Sequence, residues 1–209
     1  GWTVERSGMN RLRTATILVL ILAAIGGGLW WLERYTDRKI DGSVETIATA
    51  SLQGLKEQAR LVPFVARFVA VTTSEQARFG LRAKQTMILP GVVRYELDLN
   101  QITARDVSWD EAAKTLTVYL PPMILTGPEV DLAGMQVYDG GGILMALTDA
   151  EKTLDAANRQ RGQGELLAQA RGAVPMRLAR DAARGAIERS FAMPLRAAGI
   201  EARVTAQFK

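Results

Sequence analysis

Cysteine and histidine are both absent from the 209 residues. Without a thiol or an imidazole there is no disulfide staple, no Ser–His or Cys–His catalytic pair, no Cys/His zinc site and none of the usual haem or iron–sulfur ligands. Chemistry is left to carboxylates, Lys, Tyr, Ser and Thr, or to oxygen-ligated metals. A strong charge of one sign is missing too: 26 basic residues stand against 22 acidic ones, a formal net of +4. That basicity is spread along the chain with no concentrated patch, which argues against nucleic acid as a partner. The expectation is no enzyme and no cofactor. What is present is a chain with 48% hydrophobic and 23% charged residues, enough for one folded domain plus an appendage.

The appendage is near the amino end. From Ala15 to Leu32 the sequence ATILVLILAAIGGGLWWL carries no charge. As a helix it spans about 27 Å, close to the hydrocarbon thickness of a bilayer. Ile17, Leu18, Leu20, Ile21, Leu22, Leu29, Trp30 and Trp31 are the expected membrane anchor residues. Arg11 and Arg13 precede the run and the two tryptophans close it, so the amino end is expected in the cytoplasm. A cleavable signal peptide is the rival, with Ala24, Ile25 and Gly26 as a small-x-small triplet. The run continues past that triplet to Leu32, which favours a retained anchor. Ala23 with Gly27, and Ala24 with Gly28, are small residues four apart that suit close helix approach. Gly1 to Gly8 precede a compact MNRLR start at Met9 and are left out of the fold reading.

The expected organisation is a cytoplasmic tail over 1–13, a transmembrane helix over 14–33, a helical stalk or first helix over 34–60, and an extracytoplasmic domain over 61–209. In the stretch 41–60, Val44, Ile47, Leu52 and Leu55 recur at helical spacing. Leu61 to Thr73 is rich in β-branched and aromatic residues and reads as a strand. Phe79 to Leu89 and Val92 to Leu99 read as two more, parted by a turn or bulge at Pro90-Gly91. Alternation puts Val93, Tyr95, Leu97 and Leu99 on one face, with Arg94, Glu96 and Asp98 on the other. Val107 to Trp109 and Thr115 to Leu120 make a hairpin, followed by a loop-rich stretch to Gly142.

A helix follows from Thr148 to Arg171, with Thr148 and Glu151 at capping-box spacing. A second runs to about Ala198, with Leu178, Ala182, Ile187 and Phe191 toward the core, Pro194 as a kink and Gly199 as its stop. Ile200 to Phe208 alternates and reads as a returning strand. Strands first and helices later give an α+β fold, an amino-terminal transmembrane helix followed by a mostly antiparallel sheet packed with carboxy-terminal helices.

The segments AKQTMILPGVVRYELDLNQI (Ala83 to Ile102) and KTLTVYLPP (Lys114 to Pro122) resemble domain-of-unknown-function family 4230. The resemblance covers about Leu61 to Phe208 and rests on Pro90, Gly91, Val93, Asp98, Leu99, Ile102, Leu120 and Pro121. It implies a bacterial protein with an amino-terminal membrane anchor and one domain ending in two helices and a strand. It brings no established activity, and the motif residues have a structural look: a turn, a strand end and a hairpin. The closing helix and AAGIEARVTAQF are also similar to the end of the membrane-tethered domain of the stomatin and prohibitin class, as an analogy only.

Several clusters are candidate sites. Arg177, Arg180 and Arg184 recur at helical spacing, as an anionic-ligand stripe or, interrupted by Asp181, Glu188 and Arg189, as a solvated face. Asp139 and the glycines 140–142, near Glu129 and Asp131, lack the regular oxygen spacing of a calcium loop. Gly162-Gln163-Gly164 follows no strand and lacks the third glycine of a nucleotide fingerprint, which leaves a helix break. Asp98, Glu96 and Asp110 offer carboxylates for acid–base work, with a turn or capping role favoured for Asp98. The resulting expectation is a single-pass protein of the bacterial inner membrane with a periplasmic domain serving as an interaction or scaffold module. Its partners are expected to be the membrane and either a second copy or another envelope protein. The alternative is a domain that holds a lipid or small molecule between sheet and helices.

Overall fold

Residues with branched or aromatic side chains dominate Leu61 to Thr73, and the extended backbone they favour persists for nineteen residues as β1 (Arg60–Arg78). Phe79 and Gly80 reverse the chain with φ of 50° and 76°, the positive values that a two-residue hairpin turn requires. β2 (Leu81–Asp98) then runs back antiparallel beside β1, pairing Arg78 with Leu81 at the tip and Arg60 with Asp98 at the base. The computed structural model describes residues 42–140, 144 and 148–209, together with 23, 26 and 27.

The chain divides into two units, Gly1–Ser43 and Val44–Lys209. In the first, the described residues Ala23, Gly26 and Gly27 are helical and exposed. The rest of the expected span over 14–33, including all eight anchor residues, and the cytoplasmic tail lie outside the described residues. Among the described residues no helix is long and apolar enough to cross a membrane.

In the second unit, α1 (Val44–Glu57) buries Ala48, Leu52 and Leu55 against the core. These residues are three or four apart and share one face. The helix is therefore part of the domain, which starts at Val44, and does not stand apart as a stalk. Two short 3-10 turns, Leu99–Gln101 and Ala104–Asp106, lead from β2 into the antiparallel hairpin of β3 (Val107–Asp110) and β4 (Thr115–Leu120).

Next come β5 (Ile124–Val130) and β6 (Gln136–Asp139), in the stretch expected to be loop. Both are short, and β5 contains Gly127 and Pro128, so composition hides them. They lie end to end on the far side of β2 from β1, β5 against Gly91 to Glu96 and β6 against Gln85 to Ile88. Two helices follow, α2 (Ala150–Ala170) and α3 (Ala173–Ala197), and then β7 (Arg203–Phe208). β7 joins β4 in parallel, so the strands form two sheets, one of four strands and one of three, where a single sheet was expected. The fold is α+β, antiparallel apart from that one pair.

Pro90-Gly91 is not a turn: β2 passes straight through it. The carbonyl of Pro90 accepts the Asp131 N–H, so the side of Pro90 that lacks a donor faces the gap between β5 and β6. The strand loses no ladder bond there. Gly91 serves the packing: a Cβ on it would meet Leu166 Cδ1 of α2 at 2.7 Å. The reciprocal contact lies one step away, where a Cβ on Gly162 of α2 would meet Leu89 Cδ2 of β2 at 2.6 Å. Gly162 is thus no helix break, since α2 runs unbroken through it and uses the missing side chain to seat Leu89.

The largest core cluster joins α1, the β2 end, β3, β4, β7 and α3 through residues such as Leu97, Leu99, Ile102, Leu116, Ile187 and Phe191. The inward stripe of α3 is Ala179, Ala183, Ile187, Phe191 and Leu195. Leu178, expected inside, is 46% exposed, and Ala182 is half-buried. Counting large side chains misphased the stripe by one residue, because small alanines let α3 lie close to Val93 and Tyr95. The helix continues through Pro194 to Ala197. The Gly199 and Ile200 N–H groups then bond back to Arg196 and Leu195, with Gly199 at φ 75°. At the start of α2, Thr148 Oγ1 accepts the Ala150 N–H, and Asp149 occupies the cap position without a side-chain bond to the helix backbone.

Leu89 and Leu166 are about fully buried, so neither has room to swing aside. Gly162→Ala is expected to lower stability by about 1–2 kcal/mol, overpacking outweighing the gain in helix propensity. Gly164 sits on the exposed side of the same helix with open space around it. Gly164→Ala is expected to raise stability by up to about 1 kcal/mol. Denaturant unfolding of the two variants checks the opposite signs, and equal gains would mean that the seam tolerates a methyl group.

Candidate interaction surface

The four-stranded sheet has one covered face and one open one. Ala70, Thr72 and Ser74 of β1, and Gln85, Met87 and Leu89 of β2, point at α2 and are buried. The alternate residues face away: Val69 pairs with Pro90, Val71 with Ile88 and Thr73 with Thr86. Val69 and Val71 are 48% and 63% exposed, an apolar row in the middle of a solvent face. Polar groups border it: Thr73 and Thr86 share a hydroxyl hydrogen bond, and Arg94 makes a two-pronged ion pair with Glu129. Nearer the tip, Lys84 lies 3.3 Å from Glu75 across the hairpin. At the tip itself, Phe79 is 96% exposed.

β1 pairs with β2 alone, so among the described residues its other side is an open edge. Two edge carbonyls are met by α2: Gln169 Nε2 donates to Val69 O at 3.2 Å and Arg161 donates to Thr73 O at 3.1 Å. Between Val69 to Thr73 and the side chains of Arg161, Glu165 and Gln169 runs a groove of about 570 Å³. Charged side chains reaching over an edge are a common way of blunting it.

Beneath the row, a buried polar layer fixes helix to sheet. Asn158 of α2, with 0% exposure, donates through Nδ2 to Gln85 O and Oε1, both at 3.1 Å. Its Oδ1 accepts from Ser74 Oγ at 2.8 Å, and its backbone carbonyl accepts from Thr72 Oγ1. Gln85 in turn donates to Asp139 Oδ1, tying in β6. Asn158 is the element sequence reasoning missed. Its only signal was the polar Ser74 and Gln85 on faces that otherwise alternate as apolar. At the far end of α2, Tyr95 is fully buried, donates to Ala170 O at 2.8 Å, and has its pKa raised by burial.

The carboxylates weighed for chemistry are engaged elsewhere. Asp98 accepts from Asn100 N and Gln101 Nε2 at a 3-10 start, Glu96 pairs with Arg60 at 3.0 Å, and Asp110 accepts from Ala113 N in its hairpin turn. The structure does not bring these three together. Asp139 is bound to Gln85, Glu129 to Arg94, and Asp131 accepts the Ala133 and Gly134 N–H groups. Glycines 141 and 142 lie outside the described residues. Among the described residues no three acidic side chains gather where they could hold a metal ion.

Arg177, Arg180 and Arg184 are all exposed. Arg180 stacks over Phe208, Arg184 pairs with Asp181 on its own helix, and Glu188 accepts the Ala206 N–H. The arginines thus form a solvated face partly occupied in holding β7. Of the motif residues, Val93, Leu99, Ile102 and Leu120 are fully buried, Pro121 is buried, Gly91 sits at the seam with α2, Pro90 lies on the opposite face of β2 beside Val69, and Asp98 caps a 3-10 turn.

Comparison with known proteins gives a match of residues 53–205 to the family model described as "Protein of unknown function (DUF4230)". No curated protein and no solved structure matches.

One charged contact outside the surface closes the smaller sheet. Lys209 lies 2.7 Å from Asp106, which also accepts the Thr103 N–H, and these hold the Asp106 carboxyl at about 2 against the usual 3.8. The folded state binds this proton less tightly than the unfolded chain does. Its contribution is therefore complete above about pH 4 and is lost as pH falls toward about 2. Asp106→Asn is expected to lower Tm at neutral pH and to make little difference near pH 2. The same Tm loss at both would contradict the ion-pair account.

Proposed function

The chain belongs to the protein family of unknown function DUF4230, and from that premise we propose that its folded domain is a protein-interaction module tethered to a bacterial membrane. The observation that carries this reading is the row of exposed Val69 and Val71 beside the open edge of β1, on a sheet clamped from behind by α2. Apolar side chains at a sheet edge are a liability that a protein ordinarily removes, unless another chain covers them. The apolar run from Ala15 to Leu32 supports the tether. In this reading the amino end is cytoplasmic, the domain is periplasmic, and the role is that of a scaffold rather than an enzyme.

The alternative, a lipid or small molecule held between sheet and helices, has less support. That seam is filled by Leu89 and Leu166, each seated on a glycine of the facing element, and by the Asn158 layer. A ligand there would have to part them.

The test is crosslinking in cells of the tagged full chain, followed by gentle extraction. The expected result is a membrane-bound chain linked to itself or to another envelope protein. A chain recovered only as an unlinked monomer would overturn the reading, and a lipid retained in native mass spectrometry of that monomer would favour the alternative.

A further inference from the structure

We propose that the partner at this edge is a second copy of the chain, with β1 pairing antiparallel to β1 of its partner across a two-fold axis at Val71. The inference rests on the interaction-module reading and names the occupant of that same surface.

The backbone parity comes first. Val69 and Thr73 send their carbonyls to the open side, where Gln169 and Arg161 meet them. In a strand every second residue points its N–H and C=O the same way, so Arg67, Val71 and Glu75 also present theirs to the edge. A two-fold axis at Val71 sets these residues directly opposite one another as hydrogen-bonded pairs. Val71 faces the partner's Val71, and Val69 faces the partner's Thr73.

The charges come second. Arg67 lies four residues before Val71 and Glu75 four after, both exposed and both on the outer face with Val69 and Val71. In this register Arg67 faces the partner's Glu75, and the symmetry repeats the pair on the other side of the axis. The sequence from Arg67 to Glu75 is therefore complementary to itself when reversed: cation, apolar, apolar, hydroxyl, anion on alternate positions. Such self-complementarity is what an isologous two-fold contact needs, whereas a foreign strand has no need of it. Shifting the register by two residues sets Arg67 opposite Thr73, or Glu75 opposite Val69, and loses both ion pairs.

The cost is small. The bonds from Arg161 and Gln169 lie at the surface, and each carbonyl they meet has a second lone pair for a ladder N–H. In exchange, the 63% exposed Val71 and 48% exposed Val69 become the middle of a continuous sheet built from two copies.

The natural absence of cysteine makes the test direct. In a hydrogen-bonded antiparallel pair the opposed Cα atoms are about 5.5 Å apart, within disulfide range. The full chain carrying Val71→Cys, held in its membrane, is expected to form a covalent dimer on mild oxidation. Val174→Cys, equally exposed on α3, is expected to form none above background. Arg67→Glu in the Val71→Cys chain should cut the dimer yield by about tenfold, and adding Glu75→Arg should restore it. All four positions are at the surface, and unchanged far-UV circular dichroism confirms that each variant folds. Equal crosslinking at Val71 and Val174, or no effect of Arg67→Glu, would overturn the proposal. If Val71→Cys fails to crosslink while the unmodified chain is still captured with itself or an envelope protein, the register is wrong and the interaction-module reading survives. Absence of any association would overturn both.

Discussion

Everything in the larger sheet depends on how closely α2 lies against β2. Gly91 accepts Leu166 from the helix and Gly162 accepts Leu89 from the strand, each at a distance that a methyl group would forbid. This paired exchange of a leucine for a missing side chain sets helix and strand in one relative position. Asn158 then locks that position by satisfying Gln85, Ser74 and Thr72 from both strands of the hairpin. A long two-stranded ribbon is only marginally stable alone. Clamped on one face and flanked by β5 and β6, it can hold its other face and its free edge open to solvent.

Much of this was legible in the sequence, for identifiable reasons. Long periodic segments carried their own signal: the alternation of Val93, Tyr95, Leu97 and Leu99, the β3–β4 hairpin and both late helices appear where expected. The glycine stop of α3 was readable because only glycine favours φ 75° there. Punctuation misled where tertiary context decided. Pro90-Gly91 and Gly162 looked like breaks, yet the proline sits where the ladder has a gap and both glycines serve close approach. β5 and β6 were hidden because seven residues broken by glycine and proline, and a run of only four, carry no periodic pattern.

The candidate surface was almost illegible for a different reason. Val69 and Val71 read as ordinary strand residues, and only strand order shows that nothing pairs with their outer edge. Which carboxylates are occupied is likewise a property of the fold: Asp98, Asp110 and Asp131 are spent on local backbone donors, as short acidic side chains near turns often are. Six of the eight family-motif residues line the core or the seam, while Pro90 sits at the gap in the ladder and Asp98 caps a 3-10 turn, so they describe how the domain is built, and the exposed valines lie outside them.

A rigid hairpin with an open, self-complementary edge is the centre of this account, and amide hydrogen exchange of the full chain in detergent at low and high concentration tests it most directly. In dilute protein the amides of Val69, Val71 and Thr73 should exchange quickly while those of Ala70 and Thr72, bonded to β2, stay protected. At high concentration the first three should become protected as well. Equal protection of both sets in the dilute protein, or exchange at Val69, Val71 and Thr73 that ignores concentration, would contradict it.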